Sequence, residues 1–569
     1  MEYRNDVPFI PKGLEVSQIS FSGGRTAASL APHGGLTHLN YYGAQRVHDA
    51  VLYRGDPISA WKQVFRLCVR IDDDLFCPEF NETRVFPFGY ESECALAGVR
   101  LRHGMCLLND ALVYTATVLA NPDGKAVALR VLHMGCSRED KATRAWRGFA
   151  MEGAANLAHE AVIDDIPPKE DDPSLAQAGM AVKPEPSHAE TLVGVTATVG
   201  VRMTTSPRSF LKWTFTTEPF ETRVGLCVFF GHEGGERFRE RGRELRSGMF
   251  AEVDQRIAHY HGRLAAQPAI RMANPVVQSA LRNVIPILDS MCVADIPGAV
   301  RAADSGYWVW GWDTLVHADA HGFGNDVAKL TDVLAFYRRT ADPEVGIFHA
   351  LTLNGRPMMA MAPAAQCLYA VTLYHAYCFG GDRTVLAEYF PFARKIVDRA
   401  GQDEVDGTGL LKGVSLYPDY PEDLEQDGDD ISVFNNSIYF QALRVMAELA
   451  AELGDAEAAV AFTSRADRLL ASFVRFFDEA KGCFVDSLSS RDFAPRRHYP
   501  SYAVLWATPF AGELVAPWRE RIAAFMKEHL AARRGVRMLP KWDSRFMYDG
   551  NQLGAAMAVV ENTYREMRH

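Results

Sequence analysis

The chain has 569 residues, 48% hydrophobic, 11% aromatic and 23% charged, and its 60 Lys and Arg against 71 Asp and Glu leave a formal charge of -11. That length exceeds one ordinary core, so at least two domains are expected, and an acidic chain without a basic cluster does not fit binding to nucleic acid or an anionic membrane. No apolar run approaches the roughly 18 to 20 residues of a membrane helix. "MEYRNDVPFIPKG" lacks the basic start and apolar stretch of a signal peptide. Ten cysteines without a CxxC pair read as reduced, packed thiols, so a cytoplasmic location is the expectation.

The first 230 or so residues read as strands. "WKQVFRLCVRI" (61–71), "ALVYTATVLA" (111–120), "KAVALRVLHM" (125–134), "TLVGVTATVGVRM" (191–203) and "VGLCVFFGH" (224–232) are short and rich in Val, Thr and aromatics. Such segments without helices between them predict an antiparallel β-sandwich over 1–234. Within it, 164–188 is rich in Pro, Asp and Glu and reads as a long surface loop. A charged helical segment, 235–268, then reads as a linker.

From 269 onward apolar residues recur at helical spacing. Helices are predicted near 274–292, 313–339, 358–379, 383–400, 430–453, 456–477, 500–511, 515–531 and 550–567. Short turns such as "FGGDR" and "ELGDAE" favour antiparallel hairpins, and hairpins behind a sandwich point to a closed helical toroid over 269–569.

Three stretches stand apart from ordinary helix sequence. "GYWVWGWDTLVHADAHG" (306–322) crowds Trp308, Trp310 and Trp312 against Asp313. Such rings either fill a core or stack on the apolar faces of a sugar, and Asp313 is either a helix N-cap or a hydroxyl acceptor. In 413–443, seven carboxylates fall between Asp419 and Asp430. They read as a solvated acidic loop, or as a calcium site without EF-hand spacing, or as the seat of a general acid. Asp419, held in "YPDYPE" between tyrosines and prolines, is the candidate acid, because apolar surroundings and nearby negative charge favour its protonated form. In 538–557, Trp542 and Asp549 again pair flat rings with hydrogen-bonding groups, with a helix cap as the plain reading of Asp549.

The order of these motifs resembles the six-hairpin (α/α)6-barrel glycosidases, particularly trehalases and relatives of processing α-glucosidase, glycoside hydrolase families 37 and 63. "WVWGWDTLVHADAHGF" is similar to the family's aromatic element entering an early helix, with Trp312 and Asp313 at the matching places. "TLNGRPMMAMAPAAQ" matches loosely through Asn354, Gly355 and Gln366. "LYPDYPE" takes the place of the family's acid loop without its tryptophan and glycine, and "SVFNNSIYFQAL" matches the helix that follows, with Asn435 and Asn436 at its start. "KWDSRFMYDGNQLG" looks like the late "WDxPN" element through Asp549 and Asn551.

The resemblance implies an inverting glycosidase, acting on a short, α-linked oligosaccharide. Asp419 is its acid, with Glu422 or Asp427 as alternatives, and no metal or other cofactor is required. Trp308, Trp310, Trp312 and Trp542 are expected to stack on sugar, and Asp313, Gln366, Asn436 and Asp549 to bind hydroxyls. The nine predicted helices fall short of the twelve of a closed toroid. Either helices are merged or missed, the 235–265 segment among them, or the last hairpins and with them the catalytic base lie beyond residue 569; Glu561, the one candidate in the final helix, reads better as a surface position. The rival readings are a non-catalytic carbohydrate-binding protein on the same scaffold and a phosphorylase on a similar toroid.

Overall fold

The computed structural model describes residues 2–4, 6–10, 19–30, 34–41, 51–54, 65–78, 82–134, 146–150, 160–163, 191–205, 211–231, 236–267, 271–293, 296–301, 309–351, 357–413, 428–501, 511–532 and 535–536. Contacts divide the chain into two compact units. One is Met1–Trp310 with Phe323–Asn325 and Ala350–Met359; the other is Gly311–Gly322, Asp326–His349 and Ala360–His569.

The first unit carries two antiparallel sheets, of ten and nine strands. Strand Phe65–Ile71 shows why they pack. Phe65, Leu67, Val69 and Ile71 alternate with Arg66, Cys68 and Arg70, so one face is apolar. Those four side chains join Leu101, Met105, Leu112, Tyr114, Leu226 and Val228 of the other sheet in one buried cluster. Removing both apolar faces from water drives the two sheets together. The hairpin from Gly89–Leu96 to Val99–Leu107 closes on Ala97 and Gly98, both at positive φ, 47° and 83°. That pair of left-handed residues gives a two-residue turn whose twist matches the strands.

The opposite face of the ten-stranded sheet is covered by α1 (Glu236–Ala266), the segment expected as a helical linker. Phe238, Leu245, Met249, Val253, Tyr260 and Leu264 recur at helical spacing and pack on Val113, Cys227 and Phe229. A methyl group at Gly225 would lie 2.4 Å from the Met249 sulfur, so glycine is what lets the helix settle this closely. Arg241 fastens the layer through Asp110 at 2.8 Å and Glu252 at 2.8 Å. α2 (Pro275–Met291) follows, capped by Asn274, whose side chain accepts from Val276 N–H at 2.9 Å.

The second unit is mainly helical: α3 (Gly311–His317), α4 (Asp319–Phe323, whose last residue is counted with the first unit), α5 (Val327–Thr340), α6 (Pro363–Gln366), α7 (Leu368–Gly380), α8 (Arg383–Ala400), α9 (Val433–Leu453), α10 (Ala456–Phe473), α11 (Ala511–Val515) and α12 (Arg519–Phe525). α7 and α8 form one helical hairpin and α9 and α10 another, each turning on a left-handed glycine, Gly381 and Gly454. α9 is buried on nearly every side from Val433 to Ala450, which marks it as a central helix.

Several predicted helices are revised. The helix expected over 313–339 is three, because Gly322 must admit Phe379, Asn325 turns at φ 57° and Asp326 caps a new start. The one expected over 358–379 begins as a strand, Pro357–Ala360. α9 starts at Val433, not 430, since Asp430–Ser432 is a strand paired with Cys483–Ser489 and Ser432 is the N-cap. Phe477–Asp478 is likewise a strand rather than the end of a helix. The loop 164–188 and the helix 550–567 lie outside the described residues, as does most of 500–511. No described helix is long and apolar enough to cross a membrane.

His103 is an unexpected core residue, packed edge-on to Tyr90 with ring centroids 5.9 Å apart. Neither ring nitrogen has a hydrogen-bond partner, and burial lowers its pKa from 6.5 to about 4. The unfolded chain therefore takes up this proton at higher pH than the folded one, and its contribution to stability, complete above 6.5, is lost as pH falls towards 4. That loss runs at up to about 1.4 kcal/mol per pH unit. His103→Leu should flatten the acid limb of stability against pH in this window, as urea unfolding at a series of pH values would read; an unchanged limb contradicts it.

Candidate functional site

The site in the second unit begins at α3. Gly311 is buried, and a Cβ there would meet the Phe348 carbonyl oxygen at 2.6 Å, so the helix can start this near strand Phe348–Leu351 only with glycine. Trp312 and Asp313 follow in the first turn, both half-buried. The Trp312 ring lies 5.1 Å from the ring of Phe434, tilted by 45°. Phe434 belongs to the first turn of α9, so the aromatic stretch meets that helix at its beginning.

That first turn also holds Leu411 and Gly413. Asn436 is wholly buried: its Oδ1 accepts from Leu411 N–H at 2.7 Å and its Nδ2 donates to Leu411 O at 3.0 Å and Ser432 O at 2.8 Å. Asn435 Nδ2 donates to Gly413 O at 3.5 Å, and Gly413 N–H donates to Asp430 O at 2.9 Å. Gly413 and Asp430 are thereby held together at the start of α9. On the far side Asp430, fully buried, is paired with Arg496 at 2.9 Å.

Asp313 shares a helix face with His317, four residues on. His317 is open to solvent, yet desolvation holds its pKa below the ordinary value of 6.5, outweighing the upward pull of Asp313 and Asp319. Asp319 Oδ1 lies 2.8 Å from His375 Nδ1. Beneath Asp313, burial pushes the Tyr337 phenol up, and the carboxylate adds to the shift. Carboxylates and imidazoles near a half-buried indole are groups of the kind that bind hydroxyls.

Two expected hydroxyl-binding residues have other work. Gln366, 1% exposed, accepts from Ile347 N–H at 3.0 Å and donates to Val345 O at 3.0 Å and Met361 O at 2.9 Å. Its amide, like that of Asn436, is consumed by the backbone, leaving nothing for a sugar. Trp310 lies in the first unit, where strand Val309–Trp310 pairs with Ala350 and Leu351. Trp308, Asn354, Gly355, Asp419, Glu422, Asp427, Trp542, Asp549, Asn551 and Glu561 fall outside the described residues. His317, Asp319 and His375 were missed. The first two stand within seven positions of Trp312 and were within reach of the motif, whereas His375 arrives from α7 with no sequence signal.

Residues 317–497 match the family model of the bacterial α-L-rhamnosidase six-hairpin glycosidase domain. The resemblance to six-hairpin glycosidases holds over that segment. The family named is a rhamnosidase domain, not the trehalases or processing α-glucosidases whose motifs the sequence resembles. No curated protein matches the chain. Among solved structures, a bacterial glucoamylase complexed with acarbose is similar at 11% identity and a TM-score of 0.46, over 85% of this chain and 72% of that one. A GH78 family rhamnosidase of Bacillus sp. GL1 is similar at 15% identity and a TM-score of 0.39, over 62% of this chain and 39% of that one. The chain therefore spans well under two thirds of that rhamnosidase.

Truncating Gln366 to Ala strands one buried N–H and two carbonyls, so it should cost about 2–4 kcal/mol of stability. Trp312→Ala should instead spare most of the stability and weaken sugar binding about tenfold, the value of one lost stacking contact. Denaturant unfolding and sugar titration of the two variants check this; a Gln366→Ala protein of unchanged stability would return that residue to the ligand.

Proposed function

We propose that the chain is a glycoside hydrolase, that the helices of its second unit belong to an (α/α)6 toroid, and that it cleaves a short α-linked glycoside with inversion. The observation that carries this reading is the six-hairpin glycosidase match over 317–497. The contact of Trp312 with Phe434, beside Asn435 and Asn436 at the start of α9, supports it. In this reading Trp312 and Trp542 stack on the sugar, and Asp313 and Asp549 accept from its hydroxyls. Asp419, protonated, donates to the glycosidic oxygen, while a second carboxylate draws a proton from water on the opposite face of the ring. The two carboxyl groups then stand roughly 6.5–9.5 Å apart, leaving room for that water. The matched domain's name makes α-L-rhamnosides substrates to test beside α-glucosides.

The test is a panel of α- and β-linked rhamnosides, glucosides and disaccharides, with the released anomer followed by NMR. Turnover with inversion supports the proposal. Retention overturns the mechanism, and saturable binding without any hydrolysis overturns the enzyme. Asp419→Asn should lower kcat about 10³-fold, the usual weight of a general acid, with an unchanged melting temperature. Full activity in that variant removes Asp419 as the acid.

A further inference from the structure

One strand pair of the first unit carries chemistry that sugar cleavage does not use. Strand Phe65–Ile71 and strand Asp74–Phe76 form a hairpin with Ile71 opposite Asp74, Arg70 opposite Leu75 and Val69 opposite Phe76. One further step in this register sets Cys68 opposite Cys77. Ile71 and Asp74 close a two-residue turn, so they are a hydrogen-bonded pair, and alternation makes Cys68 and Cys77 a non-hydrogen-bonded one. Such pairs bring Cα atoms to about 4.5 Å, within the span that a disulfide bridges. Pro78 keeps Cys77 in extended backbone, continuing the strand direction. The two sulfurs are in fact 3.5 Å apart.

The two thiols are not equivalent. Cys68 is buried and Cys77 exposed, so an oxidant reaches Cys77 first. Both lie on the polar face of the nine-stranded sheet, where Arg66 neighbours both sulfurs and Arg130 stands directly opposite Cys68. The buried Cys68 keeps its proton and donates it towards Cys77, which holds the Cys77 thiol down at about 6. An exposed thiolate beside cations, with a second thiol in bonding range, has the parts of a reversible oxidation site.

We propose that Cys77 and Cys68 are an attacking and resolving thiol pair, forming a cross-strand disulfide when the protein meets a hydroperoxide. The Cys77 thiolate attacks one peroxide oxygen; the O–O bond breaks, Cys77 becomes a sulfenic acid and the other oxygen leaves, protonated, as an alcohol or water. Cys68 sulfur then attacks Cys77 sulfur. The S–S bond forms, the S–O bond breaks and the hydroxyl departs as water with the Cys68 proton. Two thiols lose two electrons, and these reduce the peroxide. The glycosidase reading plays no part in this argument.

The experiment uses the full chain with hydrogen peroxide as the probe, followed by alkylation and non-reduced peptide mapping. A Cys68–Cys77 cross-linked peptide that dithiothreitol releases is the expected product, with the buried Cys106, Cys227, Cys367 and Cys483 unreacted. Cys77 should also be alkylated by iodoacetamide at pH 7 roughly fivefold faster than the exposed Cys378. In Cys68→Ser that advantage should fall away, and peroxide should carry Cys77 on to a sulfinic acid that dithiothreitol does not reverse. Sulfinic acid at Cys77 in the native chain, or no reaction at Cys77, overturns the proposal. Because the readout is chemical and Cys68→Ser is close in size, circular dichroism of that variant separates a lost resolving thiol from a lost fold.

Discussion

The second unit depends on buried side-chain amides that stand in for a strand partner. At the start of α9, Asn436 offers one acceptor and two donors, and each is matched by backbone of Leu411 or Ser432. A buried amide left unpaired costs about 1–3 kcal/mol, so the three bonds hold the incoming and outgoing chain in one arrangement. Asn435 and Gly413 extend the same clamp to Asp430. Phe434, in the same turn, receives the Trp312 ring. One helical turn thereby gathers Trp312, Leu411 and Gly413 from separate parts of the chain.

Near that turn, crowding lowers the His317 pKa against the upward pull of Asp313 and Asp319. Asp319 Oδ1 stands 2.8 Å from His375 Nδ1, which ties α4 to α7.

The first unit is governed by a simpler constraint, the two-residue period of its strands. Alternation that buries Phe65, Leu67, Val69 and Ile71 necessarily turns Arg66, Cys68 and Arg70 to the other face. The same rule carries His103 inward between Leu101 and Met105, where its ring nitrogens find no partner. Periodicity thus sets up both the reactive thiol pair and the proton-sensitive core.

Strand Ala111–Ala120 and helix Arg383–Ala400 could be placed to the residue from the chain alone, because period and flanking turn residues are local signals. The change from strands to helices near residue 235 and the helical hairpins turning at Gly381 and Gly454 were legible for the same reason. Other features needed the folded chain. Gln366 and Asn436 have side chains equally able to bind a sugar hydroxyl or a peptide group, and burial assigned them to peptide groups. The strands Asp430–Ser432 and Cys483–Ser489 carry buried serines and aspartates that no apolar alternation marks. The meetings of His375 with Asp319 and of Phe434 with Trp312 join helices distant in sequence. Local order follows from backbone preference and side-chain period, whereas which polar groups stay open to a ligand depends on what distant segments have already satisfied.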